Sequence, residues 1–339
     1  MKSLNFLLAP ISWIYGLLVW LRNLLYDDHI FHSTEVTIPT ICVGNLAVGG
    51  TGKTPMAEYL IDLLSKNYKV ALLSRGYGRH TSGFRLANEQ DTARTIGDEP
   101  MQIHRHFPEI PVAVCADRVR GVKRLQQLFP ELQCIILDDA YQHRKLRCGF
   151  YVLLTPYDRL YVHDHMLPWG RLRDLPSQSI RANVVVVTKC PDAMQPIDRR
   201  IVSNALAMPS YQQLCFAQIA YQTLDLPAKP LLLTGIANPL PILHHLQKQY
   251  PDTELMAFPD HHAFTNKDVK NILEKAQNYA CVVTTEKDYM RLQQTPLVEA
   301  LGDKLLVQSI QTEFGADKEN FDRTILLYVS ENNRKQNGK

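Results

Sequence analysis

The stretch TIPTICVGNLAVGGTGKTPMAEYLIDLLSK, residues 37–66, decides the fold of this chain. Residues 37–45 are rich in β-branched and apolar side chains and stop at a glycine-rich turn, which predicts a buried strand. Residues 55–66 have the apolar periodicity of a helix, and Pro55 suits the first helical turn. A strand, a glycine-rich turn and a helix in this order predict a phosphate-binding loop.

The turn AVGGTGKT, residues 47–54, carries the groups that a nucleotide phosphate needs. Its glycines let backbone N–H groups point at phosphate oxygens, and the N-terminus of the following helix adds positive potential. We expect Lys53 to lie between the β- and γ-phosphates and the Thr54 hydroxyl to bind Mg²⁺. The usual pattern has a glycine where this chain has Ala47, and Gly49 and Gly50 supply the flexibility instead. The alternative is a glycine-rich turn that binds nothing.

The segment CIILDD, residues 134–139, ends a predicted strand with two acids. The carboxyl end of a buried strand is where a carboxylate ligand of a Mg²⁺–nucleotide belongs, although alone the segment fits an acidic turn equally well. With the loop, it predicts ATP and Mg²⁺ as cofactors and Thr54, Asp138 and Asp139 as metal ligands. The predicted nucleotide-binding residues are Ala47, Val48, Gly49, Gly50, Thr51, Gly52, Lys53, Thr54 and, from a later loop, Gln142.

Thr188 and Lys189 follow a further apolar run and resemble an incomplete guanine-reading N-K-x-D box. Threonine replaces the asparagine, and Asp192 lies one residue too far along the chain. We therefore favour ATP over GTP.

Short continuous apolar runs separated by helical segments extend the α/β pattern along the chain. Strands buried on both faces of a parallel sheet look like this, so we predict a doubly wound parallel sheet. The predicted strands are 70–73, 112–115, 134–137 and 184–187, and helices lie near 100–107 and 118–129. A smaller α/β unit follows Pro227, with strands at 231–233, 281–284 and 305–309 and a helix near 242–249. Residues 216–221 are predicted as a linking strand, and the polar last ten residues as a frayed end.

Length and composition limit the remaining possibilities. The chain has 339 residues, a net charge of +3 and 45% hydrophobic residues, which suits a folded protein of two domains and gives no sign of nucleic-acid binding. Its seven cysteines form an odd set without a C-x-x-C pair, so we expect free thiols in a reducing compartment. The predicted units are a membrane-associated helix at 1–26, a nucleotide-binding domain at 27–220, a smaller domain at 221–304 and a return segment at 305–339.

Residues 4–25, LNFLLAPISWIYGLLVWLRNLL, form the most apolar stretch. Asn5, Ala9, Ser12, Gly16 and Asn23 recur at helical spacing and make one thin stripe of small and polar residues. Tryptophans in an otherwise aliphatic helix are typical anchors at a bilayer surface. We predict an interfacial helix that lies in one leaflet; a core helix packed on its own protein and a membrane span are the alternatives.

Seven motifs spread over nearly the whole chain resemble one family, the tetraacyldisaccharide 4'-kinases of lipid A biosynthesis. They are GNLAVGGTGKTP (44–55), SRGYGR (74–79), GDEP (97–100), DDAYQHR (138–144), LPWGRLRD (167–174), PDHHAF (259–264) and TTEKDYMRL (284–292). The resemblance implies an inner-membrane enzyme that faces the cytoplasm. It would transfer the γ-phosphate of ATP to the 4'-hydroxyl of a tetraacyldisaccharide 1-phosphate, forming lipid IVA, in a cleft between two α/β lobes, without nucleic acid or a protein partner.

The resemblance also suggests catalytic residues. Asp98 matches the family's catalytic base, and His261 matches the histidine that pairs with it. From the residues alone, Asp98 suits a helix N-cap equally well, and His261 suits a surface loop. Because an acceptor phosphate favours arginine, further substrate-binding residues are predicted: Arg75, Arg171, Arg173 and Asp174. We interpret the charged cluster Glu286, Lys287, Asp288 and Arg291 as structural.

Two other functions remain as alternatives. A membrane-associated phosphate-loop NTPase of another class would hydrolyse nucleotide without a lipid acceptor. A non-catalytic nucleotide-binding adaptor would keep its function when Asp98 is replaced by alanine. The displaced box at Thr188, Lys189 and Asp192 and the GDEP and PDHHAF motifs argue against the NTPase.

Overall fold

The structure is a computed structural model that describes residues 5–227, 229–260 and 262–337. Its strands are β1 (Thr34–Glu35), β2 (Thr40–Asn45), β3 (Val70–Ser74), β4 (Arg85–Leu86), β5 (Val112–Val114), β6 (Cys134–Asp138), β7 (Leu146–Arg147), β8 (Phe150–Pro156), β9 (Val184–Thr188), β10 (Gln213–Phe216), β11 (Gln218–Tyr221), β12 (Pro230–Thr234), β13 (Glu254–Ala257), β14 (Cys281–Thr285), β15 (Leu305–Gln308) and β16 (Ile310–Glu313). Its α-helices are α1 (Ala9–Asp27), α2 (Lys53–Ser65), α3 (Ala93–Ile96), α4 (Asp98–His106), α5 (Arg118–Leu128), α6 (Pro196–Leu206), α7 (Leu240–Gln249), α8 (Asn266–Ala276), α9 (Glu286–Leu292), α10 (Leu297–Leu301) and α11 (Lys318–Asn337). Short 3-10 helices lie at Asn5–Leu8, Tyr161–His163, Pro176–Arg181, Gly302–Lys304 and Gly315–Asp317.

The larger sheet has eight strands in the order β10-β9-β8-β2-β6-β3-β5-β4. Every pair in it is parallel except β4 with β5 at one edge, which confirms the predicted doubly wound fold. The strands predicted for this sheet are present, and it also contains β4 and β8, the latter with the sequence FYVLLTP, which were not predicted. In the centre, β2 lies between β6 and β8, so the ends of β2 and β6 are neighbours.

Apolar side chains cover both faces of the large sheet. On one face, α2 contributes Met56, Leu60 and Leu64 to a buried cluster. On the other, α5 and α6 pack against the opposite surfaces of the same strands. Burial of both faces explains why these strands are continuous apolar runs rather than alternating ones.

The C-terminal segment corrects one prediction. The last ten residues were expected to be frayed, but α11 continues through them to Asn337. Its side chains Phe321, Ile325 and Val329 are fully buried against the α2 face of the large sheet. Polar residues that suggested a frayed end therefore continue, as far as Asn337, a helix that these apolar side chains anchor upstream.

The smaller sheet has four parallel strands in the order β13-β12-β14-β15. Helices α8, α9 and α10 pack on one face, and α7 packs on the other. Two strands replace the predicted linking strand at 216–221, because β10 joins the large sheet and β11 pairs antiparallel with β16. Since β15 completes the small sheet, we propose that this unit extends to residue 308 rather than 304, with the other predicted limits kept.

Helix α1 packs on the rest of the protein along the predicted stripe and also through Val19 and Tyr26. Ala9, Ser12 and Asn23 are buried, whereas Trp13, Leu17 and Leu18 have 70%, 60% and 61% of their surface exposed. Among the helices of the described chain, none is both long and apolar enough to cross a membrane. The helix thus buries these residues and presents most of its other large apolar ones outward.

Candidate active site

The phosphate-binding loop begins where β2 ends and leads directly into α2. Helix α2 begins at Lys53, two residues before the predicted start, and Gly52 caps it with a φ of 89°, a left-handed conformation that favours glycine. Two hydrogen bonds to Thr51 support the loop. The Thr188 hydroxyl donates to the Thr51 carbonyl at 2.8 Å, and the Asn45 amide donates to the Thr51 hydroxyl at 2.9 Å. Thr188, which takes the asparagine position of the incomplete guanine box, therefore supports the loop.

Asp138 lies at the end of β6, beside the first residues of the loop. Its side chain is buried, and Oδ2 accepts a hydrogen bond from Ser74 at 3.1 Å, while Oδ1 receives none within the described residues. Burial raises the pKa of Asp138 to about 7, with further contributions from the negative charges of Glu99 and Asp139. A buried carboxylate oxygen without a donor, acted on by the negative charges of Glu99 and Asp139, fits a cation ligand.

Asp139 follows in a left-handed conformation, with a φ of 47°, that turns its side chain toward the loop lysine. Both guanidinium Nη atoms of Arg173 bind its carboxylate, and Lys53 Nζ lies 3.9 Å from Oδ1. Burial alone would raise its pKa, but the charges of Lys53 and Arg173 outweigh burial and lower it. The two adjacent aspartates therefore have opposite electrostatic environments.

The structure gathers some of the predicted substrate residues at this loop. Arg173 also donates to Asn45 Oδ1 at 2.6 Å, and the Arg171 carbonyl accepts from Val48 N at 2.8 Å. Gln142 contacts the same residue, because its Nε2 donates to the Asn45 carbonyl at 2.7 Å. Arg75, at the end of β3, is exposed.

Asp174 differs from the substrate-binding prediction. Its side chain is fully buried, and Oδ1 accepts hydrogen bonds from Asn23 Nδ2 at 2.8 Å and Leu175 N at 3.0 Å. Arg181 Nη2 lies 3.7 Å from Oδ2. The carboxylate thus joins α1 to the loop that carries Arg173, and a structural role replaces the predicted contact with substrate.

Asp98 is the first residue of α4, and the N-cap is Gly97. A φ of 98° suits this glycine, and a side chain there would meet Tyr77 O at 3.0 Å, so the turn after β3 packs closely on the start of α4. Arg291, from α9 beside the small sheet, contacts Asp98 Oδ2 through Nε at 2.7 Å and through Nη2 at 2.6 Å. Glu99, next along α4, is near enough to Asp138 to raise its pKa.

His261, the predicted partner of Asp98, lies outside the described residues. Its neighbour His262 is packed on Phe258, with ring centroids 4.8 Å apart, and its Nε2 lies 3.0 Å from Asp268 Oδ2. Asp268 in turn caps α8 through Thr265. This loop is therefore anchored to the small unit on its C-terminal side.

The sequence analysis missed three residues of this region: Asn45, Ser74 and Arg291. Asn45 and Ser74 end strands that were predicted correctly, and strand ends at the carboxyl edge of a parallel sheet are where polar side chains meet ligands. The signal for Arg291 was its place in the charged motif at 284–292, which was interpreted as purely structural. Within the described residues, no three His, Cys, Asp or Glu side chains form a group that could hold a metal ion.

Comparison with known proteins places the chain in one family. The sequence model of the tetraacyldisaccharide-1-P 4'-kinase family matches residues 4–330. The chain is 44% identical to a tetraacyldisaccharide 4'-kinase of Flavobacterium johnsoniae, covering 98% of this chain and 99% of that one. It is 42% identical to one from Bacteroides thetaiotaomicron, covering 96% and 94%.

A solved structure shares the fold. The crystal structure described as LpxK from Aquifex aeolicus in complex with ATP matches with a TM-score of 0.74 and 24% identity, covering 96% of this chain and 99% of that one. The matches in sequence extend over nearly the full length of both the chain and its relatives. This chain belongs to the tetraacyldisaccharide-1-P 4'-kinase family, whose members are transferases.

Proposed function

We propose that this protein transfers the γ-phosphate of ATP to the 4'-hydroxyl of a tetraacyldisaccharide 1-phosphate, giving lipid IVA. The observation that carries the proposal is the match to the 4'-kinase family over residues 4–330, which spans both sheets. The neighbouring ends of β2 and β6 support it, since they bring the phosphate loop and two aspartates together. The relative from Aquifex aeolicus, of the same fold, is described with ATP.

The chain's own residues account for nucleotide binding. The backbone N–H groups of 47–54 and the N-terminus of α2 would surround the phosphates, and Lys53 would neutralise the charge that develops between them. Lys53 now faces Asp139, and Arg173 faces the same carboxylate, so two cations already lie beside the loop. Both would stabilise a transferring phosphoryl group.

Mg²⁺ would be held by the Thr54 hydroxyl and by Asp138 or Asp139 together with phosphate oxygens. The donor-free buried Oδ1 of Asp138 supports this assignment. Mg²⁺ needs only one or two protein carboxylates when phosphates and water supply the remaining ligands, so two adjacent aspartates suffice. When bound, the ion would supply charge neutralisation between the β- and γ-phosphates.

The acceptor hydroxyl needs a base, and we assign that role to Asp98, assisted by His261. A sugar hydroxyl is a weak acid, so a positioned carboxylate accelerates its attack by accepting the proton. The place of Asp98 at the start of α4, next to Glu99, whose negative charge acts on Asp138, supports the assignment. Arg75 and Arg171 are proposed to bind the acceptor's phosphate.

We further propose that α1 docks on the cytoplasmic face of the inner membrane, where the lipid acceptor lies. Its exposed face carries Trp13, Leu17 and Leu18, while Ser12 Oγ accepts from Trp169 N at 2.9 Å and Tyr15 donates to the Arg173 carbonyl at 3.2 Å. The helix is therefore connected to the loop that carries Arg171 and Arg173. Docking would bring this loop to the bilayer surface.

The kinase assay tests the whole proposal. Purified protein is incubated with Mg²⁺, γ-labelled ATP and the tetraacyldisaccharide 1-phosphate in mixed micelles, beside Lys53→Ala and Asp98→Asn. We expect label in the lipid, reduced about 1000-fold by Lys53→Ala and about 100- to 10,000-fold by Asp98→Asn. Asp98→Asn should still bind ATP. Label released only as free phosphate would show an NTPase of another class.

Membrane docking is tested separately by flotation with anionic vesicles. The double substitution Leu17→Asp and Leu18→Asp should lower vesicle binding by at least about tenfold, because each leucine withdraws roughly 2 kcal/mol of apolar burial from the bilayer. Leu327→Asp is the matched control, since Leu327 is similarly exposed, at 51%, but lies on α11. Equal losses in both variants would reject the role of α1.

A further inference from the structure

The contact between Arg291 and Asp98 joins the two units of the molecule at the predicted base. Arg291 lies on α9, beside the small sheet, and Asp98 lies on α4, beside the large one. Nε and Nη2 of the guanidinium both contact Oδ2 of Asp98, at 2.7 and 2.6 Å. Two N–H groups converging on one oxygen restrict the rotation of a carboxylate more than a single point charge would.

Further contacts within the small unit fix the guanidinium of Arg291. Nη1 donates to Asp288 Oδ1 at 3.0 Å and to the Gly235 carbonyl at 3.2 Å, and the arginine is 9% exposed. These contacts leave it little freedom to follow Asp98, because a buried guanidinium with several acceptors has one preferred position. Its position is therefore set by the small unit.

Asp288 connects the guanidinium to the edge of the small sheet. It is fully buried, and its Oδ2 accepts from Thr234 Oγ1 at 2.9 Å, Gly235 N at 2.9 Å and Thr285 Oγ1 at 2.7 Å. Thr234 ends β12, and Thr285 ends β14, so the support comes from two neighbouring strands. A continuous set of hydrogen bonds thus runs from the carboxyl edge of the small sheet to Asp98.

A neighbouring ion pair offers an internal comparison. Lys287, on the same helix, lies 3.4 Å from Glu99, and its side chain is 25% exposed. A partly solvated pair of this kind contributes little to stability and fixes neither side chain in one position. Arg291 differs in that buried acceptors fix its guanidinium, and that guanidinium contacts one carboxylate oxygen of Asp98.

We propose that Arg291 is a positioning residue for Asp98: the small unit supplies a fixed guanidinium that orients the base for the acceptor hydroxyl. The inference rests on the proposed function, in which Asp98 accepts the proton. It adds that the base is fully oriented only while α9 is docked on α4. The small unit would therefore control proton transfer through this contact in addition to closing over the site.

Arg291→Lys is the main test, because it keeps a positive charge beside Asp288 and loses the paired N–H groups. With ATP and lipid saturating, we expect turnover to fall at least about tenfold and up to about 100-fold, while the KM for ATP changes less than about twofold. Arg291→Gln should lose more than Arg291→Lys. His106→Gln is the matched control. It removes a cation from the same contact between α4 and α9, but His106 binds Glu58 and Glu286 and does not bind Asp98.

A double-mutant cycle separates positioning from structural support. In the Asp98→Asn background, Arg291→Lys should change the residual single-turnover rate by less than about twofold, because the group on which it acts is gone. The same fold-loss in both backgrounds, or wild-type turnover in Arg291→Lys alone, would overturn the inference. Full turnover in Asp98→Asn would instead reject the proposed base.

Folding is checked by thermal unfolding of each variant. Should Arg291→Lys fail to fold, Thr234→Val provides the same cycle, because it removes one hydrogen bond from Asp288 and leaves both ion pairs of Arg291 in place. We then expect a smaller loss of turnover, about threefold to tenfold, that again disappears in the Asp98→Asn background. A loss that persists there would count against positioning.

Discussion

Two polar regions of this protein are built in different ways. At the phosphate loop, residues 45–54 and 138–139 come from two adjacent strand ends, so short segments of sequence bring the functional groups together. At the contact between α4 and α9, charged residues almost 200 positions apart meet: the Asp98–Arg291 hydrogen bond spans 193 positions. The first region depends on local backbone geometry. The second depends on the packing of α9, beside the small sheet, against α4, beside the large one.

The difference has an electrostatic counterpart. The loop region contains one buried carboxylate oxygen to which no described residue donates, Asp138 Oδ1, which a bound cation would satisfy. In the helix contact, by contrast, acidic and basic side chains lie beside each other: Asp98 contacts Arg291, Glu99 contacts Lys287, and His106 lies between Glu58 and Glu286. We infer that the loop region is organised to receive a charged ligand, whereas the helix contact is complete without one.

The largest expected effect separates Asp138 from Asp139. Asp138→Asn should lower turnover about 1000-fold, because it removes the carboxylate available to the metal. In metal-free buffer the two aspartates should also affect stability in opposite directions. The pKa of Asp138 is raised to about 7, so the unfolded chain releases this proton first, and wild-type stability falls as pH rises from about 4 to 7. Asp138→Asn should lack this fall.

Asp139→Asn is the matched control. Its pKa is lowered, because Lys53 and Arg173 outweigh the effect of burial, so its ionised form stabilises the fold above the unfolded pKa near 4, and this stability is lost as pH falls. Asp139→Asn should therefore be less stable than wild type at pH 7, by roughly 1–3 kcal/mol. Urea unfolding of the three proteins between pH 4 and 8 measures both effects. Parallel curves would contradict the assignment of opposite environments.

Sequence predicted the loop region well for a physical reason. Strand, turn and helix are contiguous, and each has a local signal: apolar β-branched runs, glycine, and proline near the helix start. The same holds for the large sheet, whose strands are buried on both faces and therefore read as unbroken apolar runs. The main error was the prediction of a frayed C-terminal end. The last ten residues are polar, and the apolar side chains that anchor their helix, Phe321, Ile325 and Val329, precede them in the sequence.

The helix contact could not be predicted in the same way. Nothing local to Arg291 or Asp98 indicates the other, and the motif at 284–292 carries equal numbers of acids and bases that suit an internal network. Which charged side chains meet there depends on how β12 and β14 position α9 relative to α4. Asp174 illustrates the same limit: an acid beside two arginines suggested a phosphate contact, but its partner is Asn23, 151 positions away.

The smallest expected effect tests the helix contact itself. His106 Nδ1 lies 2.9 Å from Glu58 Oε1, and Nε2 lies 3.0 Å from Glu286 Oε1, so the ring joins α4 to both α2 and α9. Glu286 and Glu58 together raise the pKa of His106 to about 10, although burial opposes them. The folded protein therefore keeps this proton between about pH 6.5 and 10, where the unfolded chain loses it. The stability that His106 supplies is complete below pH 6.5 and is lost as pH rises through 10.

His106→Gln should cost roughly 1–2 kcal/mol of unfolding free energy at pH 6, a modest amount because about a third of the histidine side chain remains exposed. The cost should shrink steadily between pH 7 and 10, since the wild-type imidazolium loses its advantage there and glutamine does not titrate. Urea unfolding across this range measures it, with His80→Gln as a control, because His80 is exposed and outside the cluster. A cost that stays constant with pH would mean that His106 acts by packing and not by charge, and that the helix contact depends less on its ion pairs than the phosphate loop does.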